Sequence, residues 1–192
     1  MSHNEHHTVD NSLAGKVRSE TDVSAPRCYQ CGKCSAGCPM AVEMDLTPSM
    51  VLRKLQTGNI QDEDDILRSM SIWYCLNCET CIARCPQEVD IPVMMDYLRS
   101  LSIKEGKVNP KAKKILAFHK SFLDSIKLTG KLSEIVLVAD YKLRTLALTQ
   151  DLNNMPGMIA KGKLHFIPER VKGIKAIKNI FKNTIDKKEK QK

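Results

Sequence analysis

The sequence predicts an all-α fold, and two observations lead to that prediction. Apolar residues recur three and four positions apart in several segments that begin and end at helix-capping residues. No run of alternating β-branched residues bounded by turns indicates a strand. Of the 192 residues 42% are hydrophobic but only 5% aromatic, so a domain core must be built mainly from Leu, Ile, Val and Met.

The N-terminal segment, residues 1–25, is polar and contains His3, His6 and His7, with hardly an apolar residue before Leu13. Clustered histidines can bind a metal ion, but a polar chain end of this kind is typical of disorder. We therefore expect residues 1–25 to form a flexible arm.

A cysteine motif with the spacing C-x2-C-x2-C-x3-C-P occurs twice and accounts for all eight cysteines of the chain. The first motif (residues 28–39) contains Cys28, Cys31, Cys34 and Cys38, and the second motif (residues 75–86) contains Cys75, Cys78, Cys81 and Cys85. The duplication continues beyond the cysteines, because Asp45 precedes Pro48 in one copy as Asp90 precedes Pro92 in the other. Both are helix-start signals, with an oxygen acceptor ahead of a proline in the first turn.

Three helices are predicted around the motifs, which together with them form a domain at residues 26–110. They span about residues 48–56, ending before Gly58, then 64–73, following a run of acidic residues, and 92–104, ending before Gly106. The cysteine domain is therefore mostly helical.

The C-terminal part is also predicted to be helical, and its charge differs from that of the cysteine region. Helices are expected at residues 111–128 and 133–148, and they form a helical extension (residues 111–150) that packs on the cysteine domain. The remaining residues, 151–192, are predicted to be a docking tail with a basic amphipathic segment at 171–185. The net charge is −3 for residues 28–110 and +12 for residues 111–192, against +8 for the whole chain. A basic tail suits an anionic surface, whether protein, membrane or nucleic acid.

The cysteine spacing is typical of [4Fe–4S] clusters. The sequence shows no secretion leader and its longest apolar run, residues 135–139, is too short to cross a bilayer, so we expect a cytoplasmic protein without structural disulfides. Three cysteines two residues apart bind three iron corners, and in two-cluster proteins the cysteine before proline binds the other cluster. The first ligand set is therefore predicted as Cys28, Cys31, Cys34 and Cys85, and the second ligand set as Cys75, Cys78, Cys81 and Cys38.

Two other uses of the cysteines suit this spacing less well. Zinc sites would leave the middle cysteine of each motif surplus, and a reactive dithiol would not require a duplicated four-cysteine pattern. The sequence also lacks a glycine-rich nucleotide loop. We therefore expect two closed electron-transfer clusters and no catalytic residue or substrate site of the chain's own.

Several residues beside the cysteines are candidates for tuning or shielding the clusters. Gly32 and Gly37 permit close approach of backbone N–H groups to sulfur. Lys33 and Arg84 are candidates for stabilising the reduced clusters, and the alternative is that they are solvated surface residues. Trp73 is a candidate for shielding a cluster from water, and the alternative is ordinary core packing.

The wide separation of the motifs, 47 residues filled by helix signals, resembles the α-helical ferredoxin module of anaerobic oxidoreductases. Related iron–sulfur proteins with an additional [2Fe–2S] domain or fused Cys-Cys-Gly domains do not match, because no cysteine remains for either. Residues 28–39 and 73–81 resemble the free-standing iron–sulfur C subunit of soluble heterodisulfide reductase, over about residues 25–150 in all.

That resemblance implies a role as an electron relay. In the family, a flavin-containing subunit receives electrons from a hydrogenase or formate dehydrogenase. The C subunit passes them to a catalytic subunit, whose Cys-Cys-Gly domains reduce the coenzyme M–coenzyme B heterodisulfide during methanogenesis. The alternatives are a relay in another anaerobic oxidoreductase, of glycolate or lactate oxidase or fumarate reductase type, and a nucleic-acid-binding module. The few aromatics among the basic residues argue against nucleic acid as a partner.

Overall fold

The computed structural model describes residues 11–146 and 171–185, which are helical and contain no β-strand. The predicted all-α fold class is thus confirmed. The chain divides into two compact units, Met1–Ala112 and Lys113–Lys192. The N-terminal unit contains α1 (Leu13–Thr21), α2 (Lys33–Ala36), α3 (Pro48–Thr57), α4 (Ile60–Arg68), α5 (Ser71–Tyr74), α6 (Thr80–Ala83) and α7 (Ile91–Lys104), with short 3₁₀ turns at Ala25–Arg27 and Pro110–Ala112. The C-terminal unit contains α8 (Lys113–Thr129), α9 (Glu134–Thr145) and α10 (Ile174–Asn183).

Helices α3 and α7, which follow the two motifs, form where the duplicated capping signals predict them. Pro48 opens α3 after an extended residue, and Gly58 ends it in the left-handed conformation with φ of 61°. Asp90 caps α7 by accepting a hydrogen bond from the N–H of Val93 at 3.1 Å. The two capping signals differ in one respect, because Asp45 does not cap α3 but binds a distant turn.

The helix expected at residues 64–73 is instead two helices, α4 and α5. Helix α4 begins earlier because the side chain of Asn59 accepts a hydrogen bond from the N–H of Gln61. It ends at Arg68 because Ser69 is extended, and the N–H groups of Met70 and Ser71 that follow donate to the carboxylate of Asp45. A side chain 25 residues away thus supplies the acceptor for the first turn of α5.

The expectation of a flexible arm at residues 1–25 is wrong for its second half. Ser12 caps α1, in which Leu13 and Val17, one turn apart, are both buried. The N–H of Leu13 also donates to Glu63 on α4 at 2.7 Å. Two apolar side chains on one helix face therefore hold this segment against the domain. Residues 1–10, which include the three clustered histidines, lie outside the described residues.

The core of the N-terminal unit is aliphatic and methionine-rich, as the composition predicts. Its completely or almost completely buried side chains include Leu13, Val17, Val51, Leu52, Leu55, Ile66, Ile72, Ile91, Met94, Met95 and Leu98. They come mainly from α1, α3 and α7. The buried hydroxyl of Ser102 on α7 donates to the carbonyl of Leu67 on α4 at 2.7 Å. Burial of these side chains fixes the helices between which the two cysteine motifs run.

The C-terminal unit is built from α8 and α9 with α10 against the end of α8. Gly130 adopts φ of 86° after α8, and a Cβ there would lie 2.0 Å from the Val171 side chain and 3.3 Å from that of Ile174. The close contact therefore requires glycine. The predicted helix at 133–148 ends at Thr145, and residues 147–170, with the remainder of that prediction, lie outside the described residues.

Helix α10 lies within the segment predicted to be amphipathic and basic. None of the helices in residues 11–146 and 171–185 is both long and apolar enough to cross a membrane.

Candidate metal centre

The two cysteine motifs adopt the same backbone conformation. In each, the residues immediately before and after the second cysteine are left-handed: Gln30 and Gly32 have φ of 63° and 74°, and Asn77 and Glu79 have φ of 52° and 59°. A short helix carrying the third cysteine follows in both, as α2 and α6. Loops with such alternating handedness line anion-binding concavities with successive backbone N–H groups. The repeated spacing thus becomes a repeated structure.

The chain turns at the fourth cysteine of each motif. The N–H of Ala41 donates to the carbonyl of Cys38, and the N–H of Glu88 donates to that of Cys85, both at 3.2 Å. Each Cys-Pro step is therefore the start of a hydrogen-bonded turn.

A cavity of about 400 Å³, including the part open to solvent, unites cysteines from both motifs. Cys38 of the first motif lines it together with Cys75, Cys78 and Cys81 of the second. The remaining lining is largely apolar and includes Met40, Met44, Pro48, Ile91, Pro92 and Met95. The structure therefore brings together all four members of the second ligand set in one apolar pocket.

Three of the four members of the first ligand set, Cys28, Cys31 and Cys85, lie near Tyr29. Desolvation raises the pKa of this phenol, and the charges of Cys31, Cys85 and Cys28 raise it further. Cys85 of the second motif therefore lies within electrostatic range of the side chain next to Cys28. The sulfur of Cys28 accepts the N–H of Gln30 at 3.4 Å, and the sulfur of Cys85 accepts that of Val89 at the same distance.

Burial of the cysteines follows the pseudo-symmetry and fits a metal-bound thiolate. The third cysteines, Cys34 and Cys81, are buried, whereas the second ones, Cys31 and Cys78, are exposed. Burial raises the pKa of Cys34, and raises that of Cys81 to about 11 with a further contribution from the charge of Cys75. A buried thiol stays protonated at neutral pH unless a cation compensates for desolvation. The exposed Cys78 differs, because hydrogen bonds with Thr80 lower the pKa of its thiol. The buried Cys34 and Cys81 therefore suit metal-bound thiolates better than reactive thiols.

Within residues 11–146 and 171–185, no three His, Cys, Asp or Glu side chains are placed to bind one metal ion together. Thiolates of a [4Fe–4S] cluster each bind a separate iron atom, so this observation concerns sites for single ions.

Gln56, which sequence patterns did not single out, holds the backbone of the first motif at its start. Its side-chain amide donates to the carbonyl of Cys28 at 2.6 Å and to the carbonyl of Ala25, three residues earlier, at 2.9 Å. The residue lies on α3, 28 positions from the cysteine. No local sequence signal marks such a contact.

Arg99 on α7 performs the equivalent function in the second motif. Its guanidinium donates to the carbonyl of Cys75 and to that of Ile72, again three residues earlier. It also forms an ion pair with Asp96, and the other oxygen of Asp96 accepts the side-chain amide of Asn77 in the second motif, each at 2.7 Å. The two halves thus use different side chains for the same carbonyls.

Gly37 and Arg84, which occupy equivalent positions in the two motifs, contact each other. A Cβ at position 37 would lie 2.6 Å from Cδ of Arg84, so the arginine side chain lies directly against the glycine backbone. This contact joins the loops that carry α2 and α6.

Trp73 belongs to the core, where it is 8% exposed, two residues before Cys75. Its indole N–H is buried and has no hydrogen-bond partner within the described part of the chain. A buried donor without an acceptor is costly, and a cluster sulfur would be one suitable acceptor.

Comparison with known proteins first gives the class of this region. Residues 24–89 match the family described as "4Fe-4S dicluster domain". Over these residues, the all-helical unit with its duplicated four-cysteine loops is thus similar to ferredoxin-type iron–sulfur domains, and this is the class of protein to which fold and motifs point.

The curated relatives then give the particular protein that this chain resembles. It is 39% identical over 95 residues to the second iron–sulfur C subunit of the CoB–CoM heterodisulfide reductase of Methanocaldococcus jannaschii, covering 48% of this chain and 49% of that protein. It is 35% identical over 97 residues to the corresponding C subunit of Methanopyrus kandleri, covering 50% and 49%.

A third relative is the C subunit of the H(2):CoB-CoM heterodisulfide,ferredoxin reductase of Methanothermobacter thermautotrophicus, 28% identical over 110 residues, covering 57% of this chain and 58% of that protein. The chain therefore spans about half the length of the curated relatives it matches. The predicted resemblance to the C subunit of heterodisulfide reductase is confirmed.

Proposed function

We propose that the N-terminal unit binds two [4Fe–4S] clusters, one through Cys28, Cys31, Cys34 and Cys85 and the other through Cys75, Cys78, Cys81 and Cys38. The observation that carries this proposal is the single apolar cavity lined by Cys38 together with the first three cysteines of the second motif. Because the fourth cysteine of each motif would bind the cluster of the other motif, the clusters would link the two halves of the domain. The contact of Gly37 with Arg84 links the same two loops.

The residues around the sulfurs suit electron transfer rather than substrate chemistry. A [4Fe–4S] cluster supplies reversible one-electron transfer when bound. The apolar side chains Met44, Ile91 and Met95 exclude water from the second ligand set, while the N–H groups of Gln30 and Val89 stabilise negative charge on sulfur in the first. The exposed Cys31 and Cys78 give each site one side facing solvent or a partner.

The assembly we infer is a heterodisulfide reductase complex, in which this chain relays electrons from a flavin-containing subunit to a catalytic subunit bearing Cys-Cys-Gly domains. The catalytic subunit reduces the coenzyme M–coenzyme B heterodisulfide. A hydrogenase or formate dehydrogenase supplies electrons to the flavin-containing subunit. The names of the relatives, which describe the C subunit of such reductases, support this assignment. On this proposal the chain itself has no substrate site.

Iron and sulfide analysis tests the proposed ligand sets. The full chain, purified without oxygen, should contain about eight iron atoms and as much inorganic sulfide. Cys38→Ala and Cys85→Ala serve as matched controls for each other, because each should lose about half of the iron. Low-temperature EPR should show loss of the second centre in Cys38→Ala and of the first centre in Cys85→Ala. Equal retention of eight irons in both variants, or two zinc ions without sulfide in the wild type, would contradict the proposal.

Reconstitution with the two partner proteins tests the relay. The flavin-containing and catalytic subunits should support electron flow from the flavin donor to the heterodisulfide only when this chain is added, and the Cys38→Ala and Cys85→Ala variants should each be deficient. Unchanged electron flow without the chain would overturn the assignment. Co-purification from the native source with an oxidoreductase lacking both partners would instead favour a relay in another complex.

A further inference from the structure

The duplicated halves of the N-terminal unit differ in the charge of the side chain that binds the start of each motif. In both, a helical side chain binds the carbonyl of the first cysteine and the carbonyl three residues before it. Gln56 provides a neutral amide for the first motif, whereas Arg99 provides a cation for the second. Because the acceptors are the same, the difference between the two anchors is chiefly one of charge.

The cation of Arg99 is well placed to act on the second ligand set. Its side chain is only 22% exposed, so solvent screens it incompletely. The guanidinium binds the carbonyl of Cys75, itself a member of the second ligand set, so its positive charge is fixed beside that site.

Other charges near the two motifs are weaker contributors. Asp96, which pairs with Arg99, is 52% exposed and also binds Asn77, so it offsets the guanidinium only in part. Lys33 in the first motif and Glu79 in the second favour reduction of the first site, but both are exposed and their charges are screened. Arg84, next to Cys85, is exposed as well. Among these charged side chains, the half-buried guanidinium fixed to a ligand's own carbonyl is therefore the least screened by solvent.

We propose that Arg99 is a positioning residue that raises the reduction potential of the centre held by the second ligand set, making it the more easily reduced of the two. This inference rests on the proposed binding of two clusters. A cation stabilises the added negative charge of the reduced state, and at this degree of burial the effect is roughly tenfold in the equilibrium between the two oxidation states, which is about 59 mV for a one-electron couple. The electron then resides at equilibrium on the site of Cys75, Cys78, Cys81 and Cys38.

The test is an EPR-monitored redox titration of the full chain under anaerobic conditions. Wild type is compared with Arg99→Gln, which installs the amide that the first half already uses, and with Arg99→Lys, which retains the charge. Arg68→Gln is the matched control, since it removes the same charge from a side chain that is 61% exposed. The Cys38→Ala and Cys85→Ala backgrounds isolate the two centres.

We expect Arg99→Gln to lower the potential of the centre that remains in the Cys85→Ala background by about 59 mV, the tenfold change, with Arg99→Lys and Arg68→Gln close to wild type. An unchanged potential in Arg99→Gln, with two clusters present, would overturn this inference alone, whereas absence of clusters from the wild type would overturn the proposed function. If Arg99→Gln fails to bind iron, the reduction potentials of the two centres are compared in the Cys38→Ala and Cys85→Ala variants. A potential of the second ligand set that equals or lies below that of the first contradicts the proposal.

Discussion

Replacement of Asp45 by asparagine tests how the two cysteine motifs are joined. The carboxylate follows the first motif and accepts hydrogen bonds from the hydroxyl of Ser69 at 2.6 Å and from the N–H groups of Met70 and Ser71 at 3.0 and 2.9 Å, just before the second motif. Desolvation opposes ionisation, but these hydrogen bonds from Ser69, Ser71 and Met70 outweigh it and lower the pKa to about 2. An asparagine keeps one oxygen acceptor but turns an NH₂ group towards a backbone donor.

The magnitude follows from the pKa. A change from 3.8 to about 2 corresponds to about 2.4 kcal/mol at 1.36 kcal/mol per unit, which solvent screening of the exposed Asp45 reduces to about 1 kcal/mol. The N–H that loses its acceptor adds about 1 kcal/mol, so Asp45→Asn should destabilise the fold by about 1–2 kcal/mol. Because the folded pKa is depressed, this stabilisation is complete above the unfolded pKa and is lost as the pH falls through about 2. It should therefore be constant between pH 6 and 9.

On the proposed function, unfolding releases the clusters irreversibly, so the appropriate assay is the rate at which visible absorbance bleaches in urea without oxygen. A loss of about 1–2 kcal/mol accelerates bleaching by at most about five- to thirtyfold. Glu20→Gln, at an exposed carboxylate of α1, is the control and should bleach at the wild-type rate. A wild-type rate for Asp45→Asn, or an effect that disappears between pH 9 and 6, would refute the reasoning.

Two further substitutions test packing. Leu98→Ala removes a side chain with 0% exposure from α7 and should destabilise the domain by about 2–5 kcal/mol, which gives much faster bleaching in urea. Val42→Ala, at a side chain with 95% exposure, is the control and should have no effect. Similar bleaching rates for the two variants would contradict the assigned core. Gly37→Ala places a Cβ 2.6 Å from Cδ of Arg84, but this exposed, flexible side chain can move aside and Gly37 has a φ of −100°, which alanine also adopts. The loss of stability should therefore be at most about 1 kcal/mol, and Arg84→Ala in the same chain should remove it. A much larger fall in melting temperature would show that the arginine is held rigidly in place.

The sequence predicts those elements whose signals are local. Pro48 and Gly58 define α3, and Asp90 caps α7, because capping is completed within one helical turn. The break between α4 and α5 escapes prediction because its cause, the carboxylate of Asp45, lies 25 positions away. Similarly, the burial of α1 depends on a surface that only the folded helices provide.

For the cysteine sites, too, the sequence predicts what is local, and the tertiary structure supplies the rest. Spacing alone identifies the eight candidate ligands and the kind of group they suit, since three cysteines in one short loop can reach three corners of a single cluster. The dicluster family match and the relatives agree with that prediction. Assignment of Cys38 and Cys85 across the motifs stays a proposal, for which the shared cavity is the structural support.

What the sequence determined by itself is therefore the helical class, the duplicated cysteine loops and the resemblance to the iron–sulfur C subunit of heterodisulfide reductase, because each resides in residues adjacent along the chain. Only the tertiary structure decided that Gln56 and Arg99 hold equivalent carbonyls, and that Arg84 lies against Gly37. Such contacts join residues tens of positions apart, and their partners are selected by how helices pack in three dimensions, which no local pattern encodes. The charge difference between the two sites arises in that packing.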